Sequence, residues 1–151
     1  MPATPGAAPE SASGATGARD RGTASARLIA VALVLDAALV VVFAAVGRAT
    51  HHDGVLGPGG SGLATTAWPF LAALALGWLV SLAWRRPTAP LRVGVPVWLV
   101  TVAGGMLLRA LSGQGTAVPF IIVATVTLLV LLVGWRLLAA GVGRAAMRLS
   151  I

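Results

Sequence analysis

The 151-residue chain contains no cysteine, no lysine and no tyrosine, and its only acids are Glu10, Asp20, Asp36 and Asp53. Without cysteine it cannot be a small secreted scaffold stapled by disulfides. Charged residues make up 10% of the chain, where a soluble domain carries nearer a quarter, and that is too little to cover a watery surface. The sequence also has no nucleophile–base pair, no glycine-rich phosphate loop and no cysteine cluster, so neither enzyme chemistry nor a cofactor is expected.

Apolar side chains fill the space that charge leaves. They make up 58% of the residues, and the mean hydropathy is +0.93. Predominantly apolar runs near 18 residues mark membrane spans. Four occur, at Leu28–Val46, Ala67–Trp84, Val93–Leu111 and Val118–Trp135. As helices they measure roughly 27–29 Å, about one hydrocarbon core. The expected fold is therefore all-α: a polytopic membrane protein of four transmembrane helices, with the lipid bilayer as its first partner. Residues 1–26 are mostly Ala, Gly, Pro, Ser and Thr, too poor in large side chains to offset ordering entropy, and are expected to be a disordered tail. The first apolar run is long for a signal-peptide core and carries Asp36, so an uncleaved span is the better reading. Residues 139–151 form a basic C-terminal segment.

All eleven cations are arginines, and they sit at the ends of apolar runs instead of massing on one polar face. That placement reads as a topology signal and not as a nucleic-acid surface. Arg19, Arg21, Arg27, Arg85, Arg86, Arg92, Arg136, Arg144 and Arg148 fall on one side, and Arg48 and Arg109 on the other. Nine against two places both termini in the cytoplasm.

An internal repeat is visible. Thr66-Ala67-Trp68-Pro69-Phe70 recurs fifty positions later as Thr116-Ala117-Val118-Pro119-Phe120. Each copy opens a span, each of those spans closes on Trp-Arg, and each preceding span ends in Arg-Ala. The pattern predicts two helical hairpins in parallel orientation, with Pro69 and Pro119 both at helix starts, where a missing N–H costs nothing.

Asp36 is the sharpest feature. It lies nine residues after Arg27 and ten before Val46, in the middle of its run, where a carboxylate must be paired or protonated. Arg48 is twelve residues off, roughly 18 Å along a helix. Depth matching instead offers Trp98, Thr101 and Thr127 as neutral donors. Asp36 then reads either as a proton or cation carrier or as an interhelical hydrogen-bond link. Gly94, Trp98, Thr101, Gly105 and Arg109 share one helical face, and Ala73, Gly77 and Ser81 form a second stripe of small residues; both suit close helix packing. Arg48 and Arg109 stand on the side disfavoured for arginine. With His51, His52 and Asp53 they suggest an anion site, headgroup contacts or an Arg–Asp pair. No metal site is expected, because adjacent histidines in a loop rarely complete a ligand set, although His51 could titrate near neutral pH.

Asp36, Gly47-Arg48-x-x-His51, Thr66-Ala67-Trp68-Pro69-Phe70 with Gly77-Trp78, and Trp98-x-x-Thr101 leading to Gly105-Met106-x-x-Arg109 together resemble the domain-of-unknown-function family 3054, over about Leu28 to Leu138. The resemblance implies a small four-span bacterial inner-membrane protein and assigns no activity, cofactor or partner. The leading functional expectation is a non-enzymatic structural protein or an accessory subunit of a larger membrane assembly. The alternative is a small proton- or ion-coupled transporter working through Asp36 as a homo-oligomer. Its first-span acid is similar to that of small multidrug antiporters, but the strong arginine bias would require parallel subunits. A membrane enzyme or metal protein using Arg48, His51 and Asp53 ranks third.

Overall fold

The structure, a computed structural model, describes residues 11–49 and 55–149. Four helices carry the chain: α1 (Ser11–Ala49), α2 (Gly62–Val80), α3 (Val95–Leu111) and α4 (Val118–Leu149). A π-helical turn at Pro90–Gly94 leads into α3, so the third apolar helical stretch runs Pro90–Leu111. Four stretches, Ser25–Ala49, Gly62–Val80, Pro90–Leu111 and Val118–Leu149, are long and apolar enough to cross a membrane. By that measure the chain is a multi-pass membrane protein.

The helix ends differ from the expected ones in three places. Helix α1 begins at Ser11, ahead of the apolar run that starts at Leu28. Met1–Glu10 lie outside the described residues. Helix α2 starts at Gly62 and stops at Val80, four or five residues earlier than its apolar run. Pro69 is therefore interior to α2 and not at its start, whereas Pro119 is the second residue of α4. Thr65 and Thr66 donate their hydroxyls to the carbonyls of Ser61 and Gly62 four residues back, at 3.0 Å each, and so belong to an extra turn ahead of the proline. Finally, α4 continues through Arg136 to Leu149, so residues 139–149 prolong the last helix.

Each helix packs antiparallel to its neighbour in sequence, and α4 closes the ring onto α1. Along α1 the buried positions are Ala32, Asp36, Val40, Phe43 and Ala44, steps of three and four that define one face. Residues such as Val31, Val34, Leu79, Val80 and Val130 point outwards, as expected where lipid replaces water. Phe43, Phe70 and Phe120, from three different helices, meet in one layer. Phe43 and Phe70 are edge to face at 5.3 Å, and Phe120 lies 6.2 Å from each.

Helices α2 and α3 make the most extensive contact. In lipid, burial of apolar surface no longer drives helices together, so close packing must do more of the work. A side chain at Gly77 would press on the Val97 backbone, and one at Gly104 would meet Ala73. At Gly105 a Cβ would clash with the edge of the Phe70 ring, which is fully buried and has nowhere to retreat. Gly105→Ala should therefore destabilise the bundle by about 1–3 kcal/mol, the usual penalty for overpacking, in denaturant titrations of the detergent-solubilised protein. Gly134, with open space at its Cβ position, supplies the control: Gly134→Ala should be neutral or stabilising by up to about 1 kcal/mol.

Candidate functional site: a buried ion pair and an arginine-lined cavity

Asp36 is fully buried, as is Arg136 of α4. The two form a bidentate pair, with Nη2 to Oδ2 at 2.6 Å and Nη1 to Oδ1 at 2.9 Å. The indole N–H of Trp78 donates to Oδ2 and that of Trp135 to Oδ1, both at 2.8 Å. Each carboxylate oxygen thus accepts two hydrogen bonds, which fills the lone-pair positions of an ionised acid. Arg136 uses four of its five N–H groups in the site. Its Nε donates to the Pro87 carbonyl at 2.9 Å and Nη1 also donates to the Leu132 carbonyl, while its guanidinium carbon lies 4.6 Å from the centroid of the Trp135 ring.

The cluster draws on α1, α2, α4 and the α2–α3 turn. Trp78 is two residues from the end of α2 and Pro87 belongs to the turn itself, so the α2–α3 turn reaches the pair. Side chains on a helix lean toward its N-terminus; Arg136, near the end of the apolar part of α4, therefore reaches back into the bundle. Gly94 clears the path, because a Cβ there would stand 3.0 Å from the Arg136 Cδ.

This corrects the expectation that Asp36 has no nearby cation. From sequence alone Arg136 reads as a membrane-boundary residue, because it follows Trp135 at the close of an apolar run. The donors to Asp36 are Trp78, Trp135 and Arg136, and not Trp98, Thr101 or Thr127. Trp98 donates instead to the Thr125 carbonyl at 2.9 Å. Thr101 is fully buried and its hydroxyl has no partner. Trp68 is exposed at the start of its span. His51, with His52 and Asp53, lies outside the described residues. Among the described residues no three His, Cys, Asp or Glu side chains gather as a metal site would require.

Arg48 and Arg109 come together at the opposite end. Both line one cavity of about 620 Å³ with Phe43, Thr66, Gln114 and Phe120. Arg48 donates to the Val55 carbonyl at 2.9 Å and to the Thr66 hydroxyl at 3.3 Å. Its guanidinium occupies the space that Cβ atoms at Gly57 and Gly62 would take, and Gly57 also has a positive φ of 67°. Arg109 ends α3 where the chain turns through Gly113 at φ 71°. Gly113 N–H bonds Ala110 O and Gln114 N–H bonds Arg109 O, the pair of bonds that makes a Schellman turn. The turn returns Gln114 to Arg109, which donates to its side-chain oxygen at 3.0 Å and its carbonyl at 3.1 Å. The Arg109 guanidinium carbon also sits 4.5 Å from the centroid of the Phe120 ring.

Removing one member of a buried ion pair strands the other. Arg136→Gln should lower unfolding stability by about 3–5 kcal/mol, and Trp78→Phe, which deletes one donor to a charged acceptor, by about 1.5–3 kcal/mol. Equilibrium unfolding in mixed micelles checks both; an Arg136→Gln protein within about 0.5 kcal/mol of wild type would show that the pair bears no structural load.

No curated protein and no solved structure matches the chain. A family described as a protein of unknown function, DUF3054, matches residues 33–139, a stretch that holds Asp36, Trp78, Trp135 and Arg136 as well as both cavity arginines. The chain belongs to the DUF3054 family.

Proposed function

We propose that this four-span protein is a non-enzymatic structural or accessory component of the bacterial plasma membrane, in which Asp36 acts as a latch between the first and last spans. One observation carries the reading: every acceptor position of the Asp36 carboxylate is taken by an N–H donor, two of them from a guanidinium that is itself tied to the Leu132 and Pro87 carbonyls. A proton carrier needs a carboxylate open to a proton on a path to water. Here a proton could enter only after Arg136 or an indole had withdrawn. The transporter alternative thus asks the bundle to break its most highly connected contact in every cycle.

The arginine distribution supports the orientation. Arg136 is buried and leaves the tally, so Arg19, Arg21, Arg27, Arg85, Arg86, Arg92, Arg144 and Arg148 stand against Arg48 and Arg109. Eight against two still favours cytoplasmic termini. A parallel repeat of two hairpins draws support from Phe70 and Phe120, which occupy matching positions and meet, and from Arg48 and Arg109, which share a cavity. The correspondence breaks at the helix starts, where Pro69 is interior to α2 and Pro119 opens α4, and at the latch, where Arg85 is exposed and its counterpart Arg136 buried. The outward apolar faces would suit association with a second copy or with a larger assembly.

Proteoliposomes loaded with a pH-reporting dye test the reading. Wild type and Asp36→Asn should be equally silent under an imposed proton gradient or membrane potential, with the variant distinguished only by lower stability. Proton flux in wild type that disappears in Asp36→Asn would overturn the proposal in favour of transport.

A further inference from the structure

The two ends of the bundle treat arginine in opposite ways. Arg136 meets a carboxylate from its own chain. Arg48 and Arg109 line one cavity, and none of the described residues lining it is acidic. Each is already positioned by neutral acceptors: Val55 and Thr66 for Arg48, Gln114 for Arg109. Among the described residues those contacts use two of the five N–H groups that each guanidinium carries, and the Arg109 Nε is shielded and without a partner. Two oriented cations with hydrogen-bonding capacity in reserve form a receptor for an oxyanion, and arginine suits phosphate because its donors match adjacent oxygens.

The other walls say what should be attached to that oxyanion. Phe43, Pro119, Phe120 and Val123 give the cavity an apolar side. Val123 is 55% exposed and runs on into the outward row Ile122, Val126 and Val130 of α4, the surface that faces lipid. The cavity lies where α1 and α3 end and α2 and α4 begin, the depth of lipid headgroups. At about 620 Å³ it falls within the usual size of small-ligand sites and exceeds what a lone inorganic anion would need.

We propose that this cavity binds the phosphate headgroup of a membrane phospholipid, with Arg48 and Arg109 holding the oxyanion and the Phe43–Phe120 side holding the first part of an acyl chain. The same oxyanion chemistry is offered by free phosphate, so the test separates the two sources. Purified protein in mild detergent is titrated calorimetrically with dihexanoyl phosphatidylglycerol, with dihexanoylglycerol, which has the same chains and no phosphate, and with inorganic phosphate. The phosphatidylglycerol should bind most tightly. Arg48→Gln and Arg109→Gln should each weaken it by about tenfold or more, as expected for loss of a charge-assisted bond, and Arg109→Lys should weaken it less.

Three results would overturn the assignment: no binding to wild type, binding to dihexanoylglycerol as tight as to the phospholipid, or affinity unchanged in both Gln variants. Inorganic phosphate binding as tightly as the phospholipid would overturn the lipid source. The wild-type arms decide the matter even if a Gln variant fails to fold.

Discussion

A carboxylate inside an apolar bundle imposes a constraint that the rest of the fold must answer. Moving Asp36 out of water costs several kcal/mol unless its charge and its lone pairs are all matched. The bundle supplies one guanidinium and two indoles from two other helices, at 2.6 to 2.9 Å. Meeting that demand sets the rotation of α1, the depth of Trp78 on α2 and the register of α4. It also draws the α2–α3 turn over the site, since Pro87 caps the Arg136 Nε. Buried ion pairs contribute little net stability compared with well-packed apolar replacements, yet they penalise every arrangement in which one partner is left alone. In this bundle the pair selects how four otherwise similar greasy helices are arranged around one another.

Close packing supplies what the ion pair does not. The contact between α2 and α3 depends on Gly77, Gly104 and Gly105, each of which lets a neighbouring side chain or backbone come closer than a Cβ would permit. The three phenylalanines fill the space between that contact and the arginine-lined end. The bundle therefore has a polar lock near one end, an aromatic layer farther along, and a cationic cavity beyond it.

Much of this was legible in the sequence. Hydropathy gives four spans because apolar length is a property of composition, and the stripe Gly94, Trp98, Thr101, Gly105 follows from helical periodicity. The need for Asp36 to have a partner was equally plain. Its identity was not, because Arg136 follows Trp135 and resembles a boundary residue. One signal was nevertheless present: Leu137-Leu138-Ala139-Ala140 continues the apolar run past Arg136, and an arginine inside such a run needs an anion. The lean of helical side chains toward the N-terminus then points it back toward the bundle. Trp78 carried no comparable signal, since a tryptophan in a span is as often packing as donor. The interior position of Pro69 was hidden for another reason. In the turn ahead of it the Thr65 and Thr66 hydroxyls bond back to the Ser61 and Gly62 carbonyls, which hydropathy does not register.

The most direct test of the central claim is the coupling between the two charges, measured as a double-mutant cycle of unfolding free energy over wild type, Asp36→Asn, Arg136→Gln and the double variant. If the pair is the lock described, the double variant loses far less than the sum of the singles, with a coupling of at least about 1.5 kcal/mol, as for close charge pairs elsewhere. Single-variant losses that add to within about 0.5 kcal/mol would mean that the two residues act independently, and the account of how this bundle is held would be wrong.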